Sequence, residues 1–118
     1  MTVSVVQLPE SGSAALEAKA ILGADVKVVS AFHNVAAAKL HAGGKVDCDV
    51  LVFGDVKTAR DLVITMAEAA GMRGIDGGGL ANSVAAEALT SVLIGINRRY
   101  KVNGAGIRIT GIPLQSRN

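Results

Sequence analysis

Apolar and polar positions change rhythm most sharply in VVSAFHNVAAAKL at 28–40. A run that alternates as a strand does stops there and begins to repeat as a helix does, with His33 and Asn34 at the joint. Similar changes punctuate the rest of the chain. TVSVVQ at 2–7 predicts a strand closed by Pro9 and Gly12; Ser13 can cap a helix over Ala14–Leu22, and Gly23 ends it. Val26–Phe32 predicts a second strand, followed by a short helix to about Leu40 that Gly43 and Gly44 break. Asp49–Phe53 predicts a third strand. Gly54 turns the chain, and Asp55 is placed to cap a helix from Val56 to Ala70 with Ala59, Leu62, Val63, Met66, Ala67 and Ala70 as its buried stripe. A fourth strand, Met72–Ile75, runs into Asp76 and the triplet Gly77–Gly79.

The longest helical pattern comes next, from Leu80 to about Arg98. Leu80, Ala81, Val84, Ala85, Ala88, Leu89, Val92, Leu93 and Ile96 recur at three and four residues, and burying such a stripe is worth roughly 25 cal/mol per Å². Gly106–Thr110 alternates as a last strand, and residues 112–118 read as a loose end. Strands and helices that alternate in this way predict an α/β domain, one unit over residues 1–118, with a mainly parallel or mixed small sheet and flanking helices.

Composition changes this picture in two respects. Half of the 118 residues are hydrophobic and only 19% are charged. An excess of alanine, valine, leucine and isoleucine suits slim helices on a sheet, and it also suits a chain that covers a further face with a partner. Charge is nearly balanced, 12 basic against 10 acidic residues, but from Asn97 onward Arg98, Arg99, Lys101, Arg108 and Arg117 stand without an acid. Such a tail keeps a surface soluble or favours a phosphate or carboxylate partner. Phe32, Phe53 and Tyr100 are the whole aromatic inventory, which argues against nucleic-acid binding by stacking. Cys48 alone makes no internal disulfide. No secretion signal and no membrane span are evident, so a cytoplasmic protein is expected.

Three polar clusters stand where strands are expected to end: His33 and Asn34, Gly54 and Asp55, and Asp76 to Asn82. In a parallel sheet those ends share one edge, where ligands collect. Each cluster has a plain structural reading too. His33 can bond the end of a strand, Asn34 and Asp55 can cap helices, and Ser83 can satisfy a backbone group near its helix start. Alternatively, Ser83 joins helix N–H groups in holding a ligand oxygen. The glycine triplet either lets backbone approach a planar ring or relieves a tight turn. GDVKTA at 54–59 and GGGLAN at 77–82 do not fit the GxGxxG dinucleotide fingerprint, and there is no Walker lysine motif and no nucleophile elbow. His33, His41, Asp47, Cys48 and Asp49 match no compact metal-ligand spacing, so no metal site is expected.

VVSAFHNVAAAKL, DCDVLVFGD, GIDGGGLANSVAAEALTSVLIGINRRY and GIRITG, in that order, resemble the C-terminal part of the NADPH-dependent reductases of the 8-hydroxy-5-deazaflavin coenzyme F-420. The resemblance runs from about Val3 to Gly111. It implies the C-terminal portion of a Rossmann-type reductase without its N-terminal nucleotide-binding half, and direct hydride transfer between nicotinamide C4 and deazaflavin C5 with no catalytic side chain. Carried onto this sequence it implies a cofactor wall from His33 with Phe32, Asn34, Val35 and Ala36, and an opposite wall from the G-x-L-x-N-S segment, here Gly78, Leu80, Asn82 and Ser83. Where the family often has alanine, glycine and proline, this chain has Gly77–Gly79, which implies a more flexible edge. Coenzyme F-420 is the implied ligand, and NADP only with a supplied nucleotide-binding domain. The chain alone is therefore expected to be inactive, and to pair with itself as a homodimer or with a separately encoded nucleotide-binding chain.

Overall fold

The computed structural model describes residues 14–23, 25–31 and 48–113. Its elements are α1 (Ala14–Leu22), β1 (Val29–Ser30), β2 (Asp49–Gly54), α2 (Lys57–Ala69), β3 (Arg73–Gly78), a single 3₁₀ turn (Leu80–Asn82) and α3 (Ser83–Tyr100). The expected strand at 2–7, the cap at Ser13, the helix after Asn34 and residues Phe32, His33, Asn34, Val35 and Ala36 lie outside the described residues. The fold is α/β with a small mixed sheet in the order β1-β2-β3.

β2 is the centre of that sheet because its residues are apolar on both faces. Val50, Val52 and Phe53 are buried, and Leu51 is half-buried. This unbroken run is typical of a strand covered on both sides, whereas a surface strand would alternate. The core joins Cys48, Val50 and Val52 to Ile64 and Ala67 of α2 and to Met72, with Val29, Ala31 and Val63 packed around them. Cys48 is thus a small apolar core residue.

Several expectations from the sequence are corrected. β1 is only two residues long and runs antiparallel to β2, with Val29 opposite Gly54, while β2 and β3 are parallel. β1 therefore runs opposite in sense to β2 and β3, and the first polar cluster, His33 and Asn34, lies outside the described residues. β3 extends beyond Ile75 to Gly78, because Asp76 and Gly78 still pair with Val52 and Phe53 along the ladder.

Helix α2 buries Ile64 and Ala67, whereas Leu62 and Met66 of the expected stripe are 63% and 56% exposed. Apolar residues surround this helix, so two stripes compete. The face that wins includes Arg60, whose stem lies against the strand while its guanidinium leaves for a carbonyl and a carboxylate. In α3 the fully enclosed positions are Ser83, Ala86, Leu93 and Gly95, while Ala85 and Val92, and Ala81 just before the helix, are exposed. A buried serine marks a face that hydrophobicity alone could not find. The stretch Leu80–Tyr100 is long and apolar enough, by length and composition, to cross a membrane; here it packs on β2 and α1.

The last expected strand, 106–110, is not part of the ladder. A polar clamp fastens it. Asp49 N–H donates to the Ile107 carbonyl at 2.8 Å, and Ile109 N–H donates to Asp49 Oδ2 at 2.6 Å. Arg73, opposite Asp49 across the ladder, donates to Asp49 Oδ1 and Oδ2 at 3.0 and 2.6 Å and to the carbonyl of Ile109 at 2.6 Å. It also donates to the carbonyls of Ile112 and Pro113, the first residues of the expected loose end. A planar guanidinium can fork onto a carboxylate while serving these carbonyls, five acceptors in all, more than the three donors of an ammonium could reach.

Candidate functional site

The parallel pair β2 and β3 brings two of the three polar clusters together. Along their ladder Val52 pairs with Asp76 and Phe53 with Gly78, so one residue of β3, Gly77, is extra. Such a bulge kinks a strand and re-aims the residues after it. The bulge forms where it does because Gly77 has no side chain: a Cβ there would lie 2.3 Å from the Phe53 ring. Gly78 then takes φ +92°, a left-handed conformation that glycine adopts without strain. A Cβ on Gly79 would stand 3.3 Å from Asp55 Oδ1. Internal packing and turn geometry therefore account for all three glycines, and the triplet by itself gives no sign of a planar ring.

Polar side chains fix this edge from several sides. Asp76 Oδ1 accepts the Gly78 N–H at 2.9 Å, a local turn of the kind aspartate favours. Arg60 donates to the Gly54 carbonyl at 2.6 Å, and its Nε lies 2.8 Å from Asp76 Oδ1, so it bridges the ends of β2 and β3. Asn82 donates from Nδ2 to the Gly77 carbonyl at 3.2 Å, folding the 3₁₀ turn back over the bulge. Asp55 does not cap α2, whose cap residue is Val56 with no side-chain bond. Its Oδ1 accepts the Leu80 N–H at 3.0 Å, and its Oδ2 accepts a hydrogen bond from Lys19 on α1. The Lys19 ammonium first, and the Leu80 N–H second, hold the Asp55 carboxyl below its ordinary value.

Ser83 and Leu80 are enclosed, with no exposed surface. The Ser83 hydroxyl donates to Glu87 at 2.5 Å, which leaves the Ser30 hydroxyl to donate to Ser83 at 2.5 Å. Glu87 in turn accepts the Ala14 N–H at 2.8 Å at the start of α1. Together these bonds tie β1, α3 and α1 behind the glycine turn. Of the four expected residues that the structure describes, Gly78 and Asn82 reach solvent while Leu80 and Ser83 support them. The roles of Asp55, Arg60, Ser30 and Glu87 were not legible beforehand. Only Asp55 had been singled out, as a helix cap, and it serves Leu80 and Lys19 instead.

Chemically the edge offers backbone and amide hydrogen-bonding groups beside two carboxylates. A phosphate is disfavoured here: the Leu80 N–H already serves Asp55, and the nearby cations Lys19 and Arg60 face carboxylates. No group of three or more metal-ligating side chains occurs among the described residues.

The chain is 44% identical over 108 residues to the F420-dependent NADP reductase of Methanocaldococcus jannaschii, a match that covers 90% of this chain and 48% of that protein. The F420-dependent NADP reductases of Methanothermobacter marburgensis and Methanothermobacter thermautotrophicus are each 38% identical, over 113 and 115 residues, covering 94% and 96% of this chain and 50% of each of those proteins. The chain thus spans about half the length of the curated relatives it matches. No family model matches it.

Proposed function

We propose that this chain, related by sequence to about half of the F420-dependent NADP reductases, supplies the deazaflavin-facing portion of an oxidoreductase that acts once a nucleotide-binding domain completes it. The observation that carries this reading is the identity to those reductases over nine-tenths of the chain. The edge at 77–82 is compatible with it, because the Leu80 N–H already serves Asp55 and the nearby cations face carboxylates, which disfavours a pyrophosphate more than a ring.

When bound, the two cofactors supply the hydride donor and acceptor carbons, and the protein contributes orientation and shielding. In this reading Gly78 and Asn82 border the ring, with Leu80 and Ser83 holding them from behind. By the family resemblance, Phe32, His33, Asn34, Val35 and Ala36 are proposed for the opposite wall. The 118 residues contain neither a GxGxxG turn nor a Walker lysine motif. NADP binding is therefore assigned to a supplied domain, in a second copy's company or on a separately encoded chain, in the cytoplasm.

Fluorescence titration of the deazaflavin coenzyme against the chain and against His33→Ala tests the reading. Weak binding by the chain, weakened further in the variant, is expected, with no NADPH-dependent turnover by the chain alone. Absence of binding in both would leave a non-catalytic structural or protein-interaction domain of reductase ancestry as the better account. Appreciable turnover by the chain alone would require a nucleotide site in these residues.

A further inference from the structure

The Asp55 carboxylate gathers three segments that are distant in sequence. It stands directly after β2, yet its Oδ1 accepts the N–H of Leu80, 25 residues onward, and its Oδ2 holds Lys19 on α1. Leu80 is fully enclosed, and its amide opens the helical stretch that continues as α3. The first amides of such a stretch have no carbonyl partner within it, so a donor there must find an acceptor elsewhere. If that acceptor is lost, the cost of an unpaired buried donor falls on the Gly79–Leu80 peptide. That peptide sits between Gly78, at φ +92°, and Asn82, which reaches back to the Gly77 carbonyl.

We infer that Asp55 is a positioning residue, which sets the shape of the 77–82 edge from behind and keeps anionic groups away from the start of the Leu80–Tyr100 stretch. It acts through the Leu80 N–H. The inference rests on the deazaflavin reading for the identity of the ligand, but the hold on the turn stands on these contacts alone. Glycines let the turn adopt this shape without compelling it. The carboxylate supplies the missing constraint, since a substituent on Gly79 would already crowd its Oδ1. Lys19 contributes less, because its ion pair with Asp55 is open to water on both sides.

The experiment compares the full chain with Asp55→Ala, Asp55→Asn and Lys19→Met by two readouts. One is amide hydrogen exchange at Leu80. The other is affinity for an 8-hydroxy-5-deazaflavin lacking the phosphate-bearing side chain, a probe that reports on ring contacts only. In Asp55→Ala, Leu80 exchange is expected to accelerate and the probe to bind about tenfold more weakly, the order expected for one charge-assisted bond. Asp55→Asn keeps an acceptor oxygen in place, so rescue to within about threefold of the parent is expected, and Lys19→Met should stay in the same range. An Ala variant that binds like the parent overturns the inference, as does an Asn variant that binds as weakly as Ala while its Leu80 amide stays protected. If the parent itself fails to bind the probe, the functional reading above is what fails. Leu80 exchange then decides alone: unchanged protection in Asp55→Ala overturns the role in holding the turn, and accelerated exchange supports it.

Discussion

At Gly77 there is room for a hydrogen and nothing larger, since the edge of the Phe53 ring occupies the space a methyl group would need. Gly77→Ala is expected to cost about 1–3 kcal/mol, in the range for overpacking a filled site. Denaturant unfolding measures this, and adding Phe53→Leu to the same chain should recover part of the loss. A residue of opposite character is Asp49, whose side chain is nearly enclosed. Burial alone would raise its carboxyl, but the Arg73 fork and the Ile109 N–H outweigh that and hold it below the ordinary 3.8. A carboxylate with a depressed folded value contributes stability above its unfolded value, and that contribution is lost as pH falls through the folded one. Unfolding midpoints measured from pH 6 to pH 2 should therefore fall more steeply below about pH 4 in the parent than in Asp49→Asn.

Among the elements, α1 and the segment after α3 are each held by polar groups. α1 buries no residue fully; Glu87 accepts the amide of its first residue, and Lys19 reaches Asp55. Residues 107–113 depend on Asp49 and Arg73. Arg73→Lys keeps the charge and loses the fork, so exchange at the Ile109 amide should rise by roughly an order of magnitude while core amides of β2 stay protected. Legibility from sequence divides in the same way. The bounds of α1 were readable because Gly23, at φ +93°, stops the helix where the pattern does. The centre of β2 was readable from its continuous apolar run. Hydrophobic rhythm could not reveal that α2 turns Arg60 toward the sheet, that α3 turns Ser83 inward, or that an alternating segment near the C-terminus is tied by a carboxylate instead of a ladder. Each of those depends on one polar group finding a partner distant in sequence. The glycine edge was located correctly for its place in the sheet, while the partners that its side chains take were invisible for this same reason.

For the whole molecule, large apolar side chains remain open to water: Ile21 at 84% exposure, with Leu62 and Met66 on one side of α2. A chain that matches only half of its relatives' length, with such a stripe uncovered, is expected to use it against a partner. Leu62→Glu combined with Met66→Glu should change stability by less than about 0.5 kcal/mol, as usual for surface positions. It should also abolish any concentration-dependent increase in solution mass seen in the parent. A parent that stays monomeric throughout would argue against self-association and leave a separately encoded partner as the alternative.

The deazaflavin-binding role proposed for residues 77–82 is open to a direct test. Backbone amide shifts of the chain, tracked during titration with the deazaflavin coenzyme, address it most directly. Gly78 and Asn82 are expected to move first and saturably, with Leu80 and Ser83 shifting more weakly and the 107–113 segment unmoved. Saturable shifts confined to other surfaces, or none at all, would contradict it.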